Sequence, residues 1–169
     1  MKDALSLHRL LLERQTVHEI VRLPRGISSA DELPEVLDLP PRRCLCTRLY
    51  ARPVECLVAA AIVPAGTWPA QEVVAELLNV ATVALAGDDL VNEATGYAAD
   101  LVAPLMLPEE ITILVDQDVS GVDDVVYTAT GEACTALGIR TLDLFSLCAA
   151  KPVAMACSVW QVPRNRPQQ

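Results

Sequence analysis

Twelve prolines, from Pro24 to Pro167, cut this 169-residue chain into short segments. Proline fixes φ and has no amide donor, so it is excluded from helix interiors and central strands. With seven glycines, the pattern predicts many short elements on tight connections and excludes a long-helix bundle. One Phe, three Tyr and two Trp leave the core to Leu, Val, Ile and Ala. An apolar content of 52% with 21% charged residues excludes a disordered or collagen-like chain. The length suits one domain over residues 1–169, large enough to bury roughly two-thirds of its unfolded surface.

The longest uncharged apolar run, Cys56 to Gly66, is far short of the roughly 20 residues that span a bilayer. His8, Arg9, Glu13 and Arg14 interrupt the N-terminus, which therefore does not read as a signal peptide. Six cysteines without a secretion signal point to reduced thiols and a cytoplasmic location. Cys44 and Cys46 are the one close pair, too few for the four ligands of a structural zinc site, so no metal is expected. The net charge is −9, and it is uneven. Residues 1–55 balance at +1, whereas residues 56–169 carry −10. Binding of nucleic acid by phosphate neutralisation over the whole surface is thereby disfavoured. A basic edge for RNA would come from Arg22, Arg25, Arg42, Arg43, Arg48 and Arg52.

Leu7, Leu10 and Leu11 at helical spacing predict an amphipathic helix over 4–14. Alternation from Val17 to Leu23 predicts a half-buried strand. Ser29 with Glu32 is a capping box ahead of a second helix that ends near Pro40–Pro41. Residues 43–50 and 54–63 read as strands joined by a turn at Ala51–Pro53. Pro69 suits the first turn of a helix through Asn79, burying Val73, Val74, Leu77 and Leu78. Strand patterns recur at 81–85, 111–115, 124–130 and 152–159, with a helix near Leu142–Ala149. The fold class is α+β: one mixed, curved β-sheet or partly open barrel, with helices packed around it.

The chain has no phosphate-binding glycine loop, nucleophile elbow or H-E-x-x-H. Both histidines lie in the first eighteen residues, so an activated Ser or Cys nucleophile has little material. Hydrolysis here would have to use backbone groups, bound water and the substrate itself.

Thr95-Gly96-Tyr97, Val102-Ala103-Pro104-Leu105 and Ile113-Leu114-Val115-Asp116 stand in order along the chain. Val126-Tyr127-Thr128-Ala129-Thr130-Gly131 and Leu142-Asp143-Leu144 follow. The set resembles the YbaK/prolyl-tRNA-synthetase-associated editing-domain family, with looser similarity over residues 5–157. The resemblance implies a compact YbaK-like fold and trans-editing hydrolysis of mischarged aminoacyl-tRNA. It implies no cofactor. The partners would be the aminoacyl-tRNA acceptor end and a prolyl-tRNA synthetase or other synthetase. Family members line a small pocket with a strand Lys and glycine-rich backbone, and backbone groups with a ribose hydroxyl position the attacking water.

Carried over, the catalytic positions are Cys46, Thr47 and Gly131. The substrate-binding positions are Arg48, Thr95, Gly96, Asp100, Pro104, Asp116 and Thr130. Several depart from the family pattern. Cys46 replaces the Lys, Asp100-Leu101 replaces a Gly-Gly, and Thr130 replaces the first glycine before Gly131, which implies a narrower, more acidic pocket. Arg48 shares a strand face with Cys46 and is the candidate replacement cation; pointing to solvent, or pairing with an acid such as Glu55, is its alternative. Asp100 is a candidate for the aminoacyl ammonium, while Asp116 could cap the following turn. Three functions remain open: a deacylase, a family member that binds tRNA or protein without hydrolysis, and a thiol redox or metal protein built on Cys44 and Cys46.

Overall fold

The computed structural model describes residues 1–121, 124–155 and 157–159. Leu7 and Leu11 recur on one side of the helix Ala4–Glu13 (α1), and both are fully buried. Strand His18–Arg22 (β1) follows. The capping box forms as the sequence predicts: the Ser29 hydroxyl accepts from the Asp31 amide, and the Ser29 amide donates to Glu32. It opens a 3-10 turn, Ala30–Glu32, that runs into the short helix Leu33–Leu37 (α2).

Next come Cys44–Arg52 (β2), Cys56–Pro64 (β3), Thr67–Pro69 (β4), Gln71–Leu77 (α3), Ala84–Leu85 (β5) and Asp88–Thr95 (α4). Thr112–Asp116 (β6), Gln117–Ser120 (α5), Val125–Ala129 (β7), Thr135–Arg140 (β8) and Thr141–Cys148 (α6) follow. Lys151–Val153 (β9) and Cys157–Val159 (β10) complete the described chain. The main sheet runs β1-β8-β7-β2-β3-β6-β9, with β5 against the far end of β2. Pairing is parallel at β7–β2, β3–β6 and β6–β9, and antiparallel elsewhere in the sheet. The sheet is therefore mixed, as expected, and stays open. β4 and β10 make a separate antiparallel pair.

Strand alternation divides the core in two. Leu45, Leu49, Ile62, Val115, Val126 and Leu137 face the larger cluster, where α1, α4, α5 and α6 bring Leu7, Leu11, Val91, Val119 and Leu144. The opposite face carries two smaller clusters. One gathers Leu23, Leu33, Cys44, Cys46, Leu101 and Ala129. The other holds Tyr50, Ala61, Val63, Val74 and Leu114. Arg48 lies between them on β2.

Four local expectations are corrected. β2 continues through Arg52, past a bulge at Tyr50/Ala51, so the turn falls at residues 53–55 with Glu55 at φ 53°. Pro69 ends β4, where its carbonyl accepts the Tyr50 hydroxyl at 3.1 Å, and the helix begins only at Gln71. Leu77, expected inside, is 38% exposed, whereas Val74 is buried as expected and Ala75 joins it in the core. The strand expected over 152–159 comes as two strands, β9 and β10, with residue 156 and residues 160–169 outside the described range.

Candidate functional site

Cys46, Arg48 and Tyr50 share one face of β2, as strand alternation requires. The capped 3-10 turn presents Asp31 to that face. Asp31 Oδ2 and Oδ1 accept from the two terminal nitrogens of Arg48 at 2.9 and 2.7 Å, a forked pair. Asp31 Oδ1 also accepts the Gly66 amide at 2.7 Å and the Cys46 thiol at 3.3 Å. Arg48 is only 8% exposed; it donates to the Thr67 carbonyl at 3.0 Å and lies 3.6 Å from the Trp68 ring centre. Burial works against the Asp31 carboxylate, yet the Arg48 guanidinium and the Gly66 amide hold it below the ordinary carboxylate range. Burial pushes the Cys46 thiol well above its usual value. The thiol is packed at 1% exposure and donates to Asp31.

From this pair a chain of contacts leads to the other expected positions. The Ala30 amide donates to the Asp100 carbonyl at 2.9 Å. Next along, the Leu101 carbonyl accepts the Gly131 amide at 2.8 Å. Leu101 packs in the same apolar cluster as Cys46 and Ala129. Asp100 is exposed, with φ 64°. Pro104 lies within the buried run 101–105. Thr130 is fully buried, its hydroxyl 2.8 Å from that of Thr135.

Thr95 and Gly96 end α4. The Thr95 hydroxyl donates to the Val91 carbonyl at 2.7 Å and accepts the Tyr97 amide at 3.1 Å. Gly96 closes the helix at φ 74°. Gly131, at φ 93°, faces the Tyr97 ring and the Lys2 backbone. Cys46, Arg48, Asp100, Thr130, Gly131, Thr95 and Gly96 thus form one connected neighbourhood. Two expected residues lie apart from it. Thr47 points to the opposite face of β2, across from Ile62 in the larger core. Asp116 ends β6, beyond β3, where its Oδ1 accepts the Asp118 amide and caps α5.

Sequence reasoning missed Asp31, Trp68 and Lys2. Only Asp31 left a local signal, its place inside the capping box. The two histidines bind one another, His8 Nδ1 to His18 Nε2 at 2.8 Å, on α1 and β1 beside a cavity of about 430 Å³. A larger cavity of about 810 Å³ lies between Arg52, Glu55, Leu85 and Asp89. Neither cavity touches Cys46 or Gly131. No group of three His, Cys, Asp or Glu side chains could hold a metal ion among the described residues.

The same turn sets an acid limit on stability. Arg25 and the Ser28 amide and hydroxyl hold the Glu32 carboxylate down to about 2. A lowered carboxylate stabilises the fold above its unfolded value and loses that contribution as pH falls through the folded one. The urea midpoint is therefore expected to drop as pH falls from 4.5 to about 2, with Glu32→Gln flattening the profile. A Glu32→Gln profile parallel to the wild type would contradict this assignment.

Comparison with known proteins bears on this geometry. Among curated proteins, none matches the chain in sequence. Among solved structures, the hypothetical protein APE2540 superposes with a TM-score of 0.78 at 20% identity, covering 90% of this chain and 99% of its own. A protein described as a candidate trans-editing enzyme for prolyl tRNA synthetase superposes at 0.73 and 18% identity, covering 88% and 94%. A protein from Marinobacter aquaeolei VT8 described as a candidate signal transduction protein carries the same fold in 30% of its length, at 0.60 and 15% identity. These likenesses establish the YbaK-like fold. The model of the aminoacyl-tRNA editing domain matches residues 25–147, which include β2, the 95–106 loop and Gly131, and the chain belongs to that family.

Proposed function

We propose that this chain is a single editing domain, with its core over 5–157, that hydrolyses the ester of a mischarged aminoacyl-tRNA in trans. Family membership supports deacylase chemistry in general terms. The observation that carries the finer reading is the contact between the 95–106 loop and the 130–131 turn, through Leu101 and Gly131. It gathers backbone groups from two distant segments where no activated side-chain nucleophile stands.

In this reading water attacks the ester carbonyl, the bond to the ribose oxygen breaks, and that oxygen takes the proton. The Thr130–Gly131 turn borders the reacting centre, its Gly131 amide committed to the Leu101 carbonyl, with Thr95, Gly96, Asp100 and Pro104 shaping the seat of the acceptor end. Arg48 acts from behind, since its donors are committed to Asp31 and Thr67. Arg22, Arg42 and Arg52 are exposed and offer phosphate contacts. No helix among the described residues is long and apolar enough to cross a membrane. The reaction belongs in the cytoplasm, where tRNA and a synthetase partner are found.

Two observations favour a second reading, a tRNA- or protein-binding module without hydrolysis. Cys46 replaces the cation expected on β2, and Leu101 packs where the family has glycine. A panel of mischarged tRNAs separates the two. Ester release above the uncatalysed rate supports the deacylase; binding without release from any member supports the module.

A further inference from the structure

The 95–106 loop leaves the end of α4, and residues 107–111 lead from it to β6. Its neck is crossed by a residue from the far N-terminus. Lys2 Nζ donates to the Thr95 carbonyl at 2.6 Å on one side and to the Met106 carbonyl on the other. Between them it stands 5.2 Å from the Tyr97 ring centre. The Lys2 amide donates to the Gly96 carbonyl at 2.7 Å. The Tyr97 hydroxyl, donating to the Leu105 carbonyl at 2.8 Å, closes the neck a second time from inside.

The same arm touches the other half of the site. An ideal Cβ on Gly131 would stand 2.4 Å from the Lys2 carbonyl oxygen, so the arm runs directly against that turn. Two residues on, the Ala4 amide donates to Glu132 Oε2 at 3.2 Å. Asp3 meanwhile caps α1 through the Ser6 amide, which fixes where the arm begins. Residues 2–4 therefore join the 95–106 loop to the 130–132 turn.

We propose that Lys2 is a positioning residue for the deacylation site, clamping the neck of the loop that carries Asp100, Leu101 and Pro104 and holding it against Gly131. The inference rests on the deacylase reading. The physical case has three parts. An ammonium has three donors, and two backbone carbonyls at the ends of a loop take two of them in charge-assisted bonds. The Thr95 carbonyl lies at the negative end of α4, where a cation is favoured. The Tyr97 ring face adds attraction to the same charge. Tying the ends together removes loop freedom that would otherwise blur the placement of Asp100 and Leu101.

The experiment compares wild type, Lys2→Met and Lys2→Arg by amide hydrogen exchange and by steady-state deacylation, at varied concentration, of the tRNA that wild type hydrolyses best. Lys2→Met should speed exchange in the 97–106 loop by about tenfold or more while the β2 and β3 amides keep their rates. It should lower kcat by about tenfold with KM within about twofold, and Lys2→Arg should restore kcat to within about threefold. Unchanged loop exchange would overturn the clamp, as would a loss confined to KM or one that Arg does not rescue. Should wild type hydrolyse no tRNA, the deacylase reading fails on its own, and the exchange rates still decide whether Lys2 holds the loop.

Discussion

Arg48→Ala is expected to cost about 3 kcal/mol of unfolding free energy, because it leaves the Asp31 carboxylate half-buried without its counter-ion. The substitution also strips the Thr67 carbonyl and the Trp68 ring of their partner. Removing both charges should hurt less than removing one. Asp31→Asn keeps an acceptor for the Gly66 amide, so Asp31→Asn with Arg48→Met should be more stable than Arg48→Met alone. Cys46→Ala, by contrast, deletes one buried sulfur and should cost about 1 kcal/mol. Urea denaturation of the four variants checks the order. If Arg48→Ala matched Cys46→Ala, the pair would not be the support of this face.

Gly131→Ala should have the larger effect on function. The added methyl would meet the Lys2 carbonyl oxygen at 2.4 Å and the Tyr97 ring at 3.0 Å, on a backbone already at φ 93°. Backbone strain and overpacking together should cost about 3 kcal/mol. Pushing the turn from the loop should lower deacylation by about 100-fold or more, since small misplacements of reacting groups are costly. Gly66→Ala is the matched control. Gly66 has φ 80° but nothing within 4 Å of a new Cβ, so it should cost about 1 kcal/mol and spare activity. Equal effects from the two substitutions would mean that φ alone matters and that the crowding at Gly131 does not.

What the sequence disclosed follows the range of the interactions. The Ser29–Glu32 capping box and the leucines of α1 act within a few residues, and both stand as read. Alternation put Arg48 on the face of Cys46, and it does share that face. The same rule places Thr47 on the other side; the resemblance, which sets it beside the expected Lys, obscured that signal. β8 escaped because Gly138 interrupts its apolar run, and α4 lay unassigned between the strand patterns at 81–85 and 111–115. The Asp31–Arg48 pair spans 17 positions and the Lys2 clamp 93 and 104, distances at which no local pattern speaks. The missing cation at position 46 invited a search for a substitute nearby on β2. Arg48 instead found a carboxylate, which low solvent exposure makes obligatory for a buried guanidinium.

The central claim is that backbone gathered around Gly131 hydrolyses mischarged aminoacyl-tRNA without a side-chain nucleophile. Single-turnover ester release from tRNA carrying a small non-cognate amino acid tests it most directly, with wild type, Cys46→Ala and Gly131→Ala assayed beside the enzyme-free rate. The account predicts release well above that rate by wild type, nearly the same by Cys46→Ala, and almost none by Gly131→Ala. Release by wild type no faster than the enzyme-free rate across the panel, or activity that vanishes with the Cys46 thiol, would contradict it.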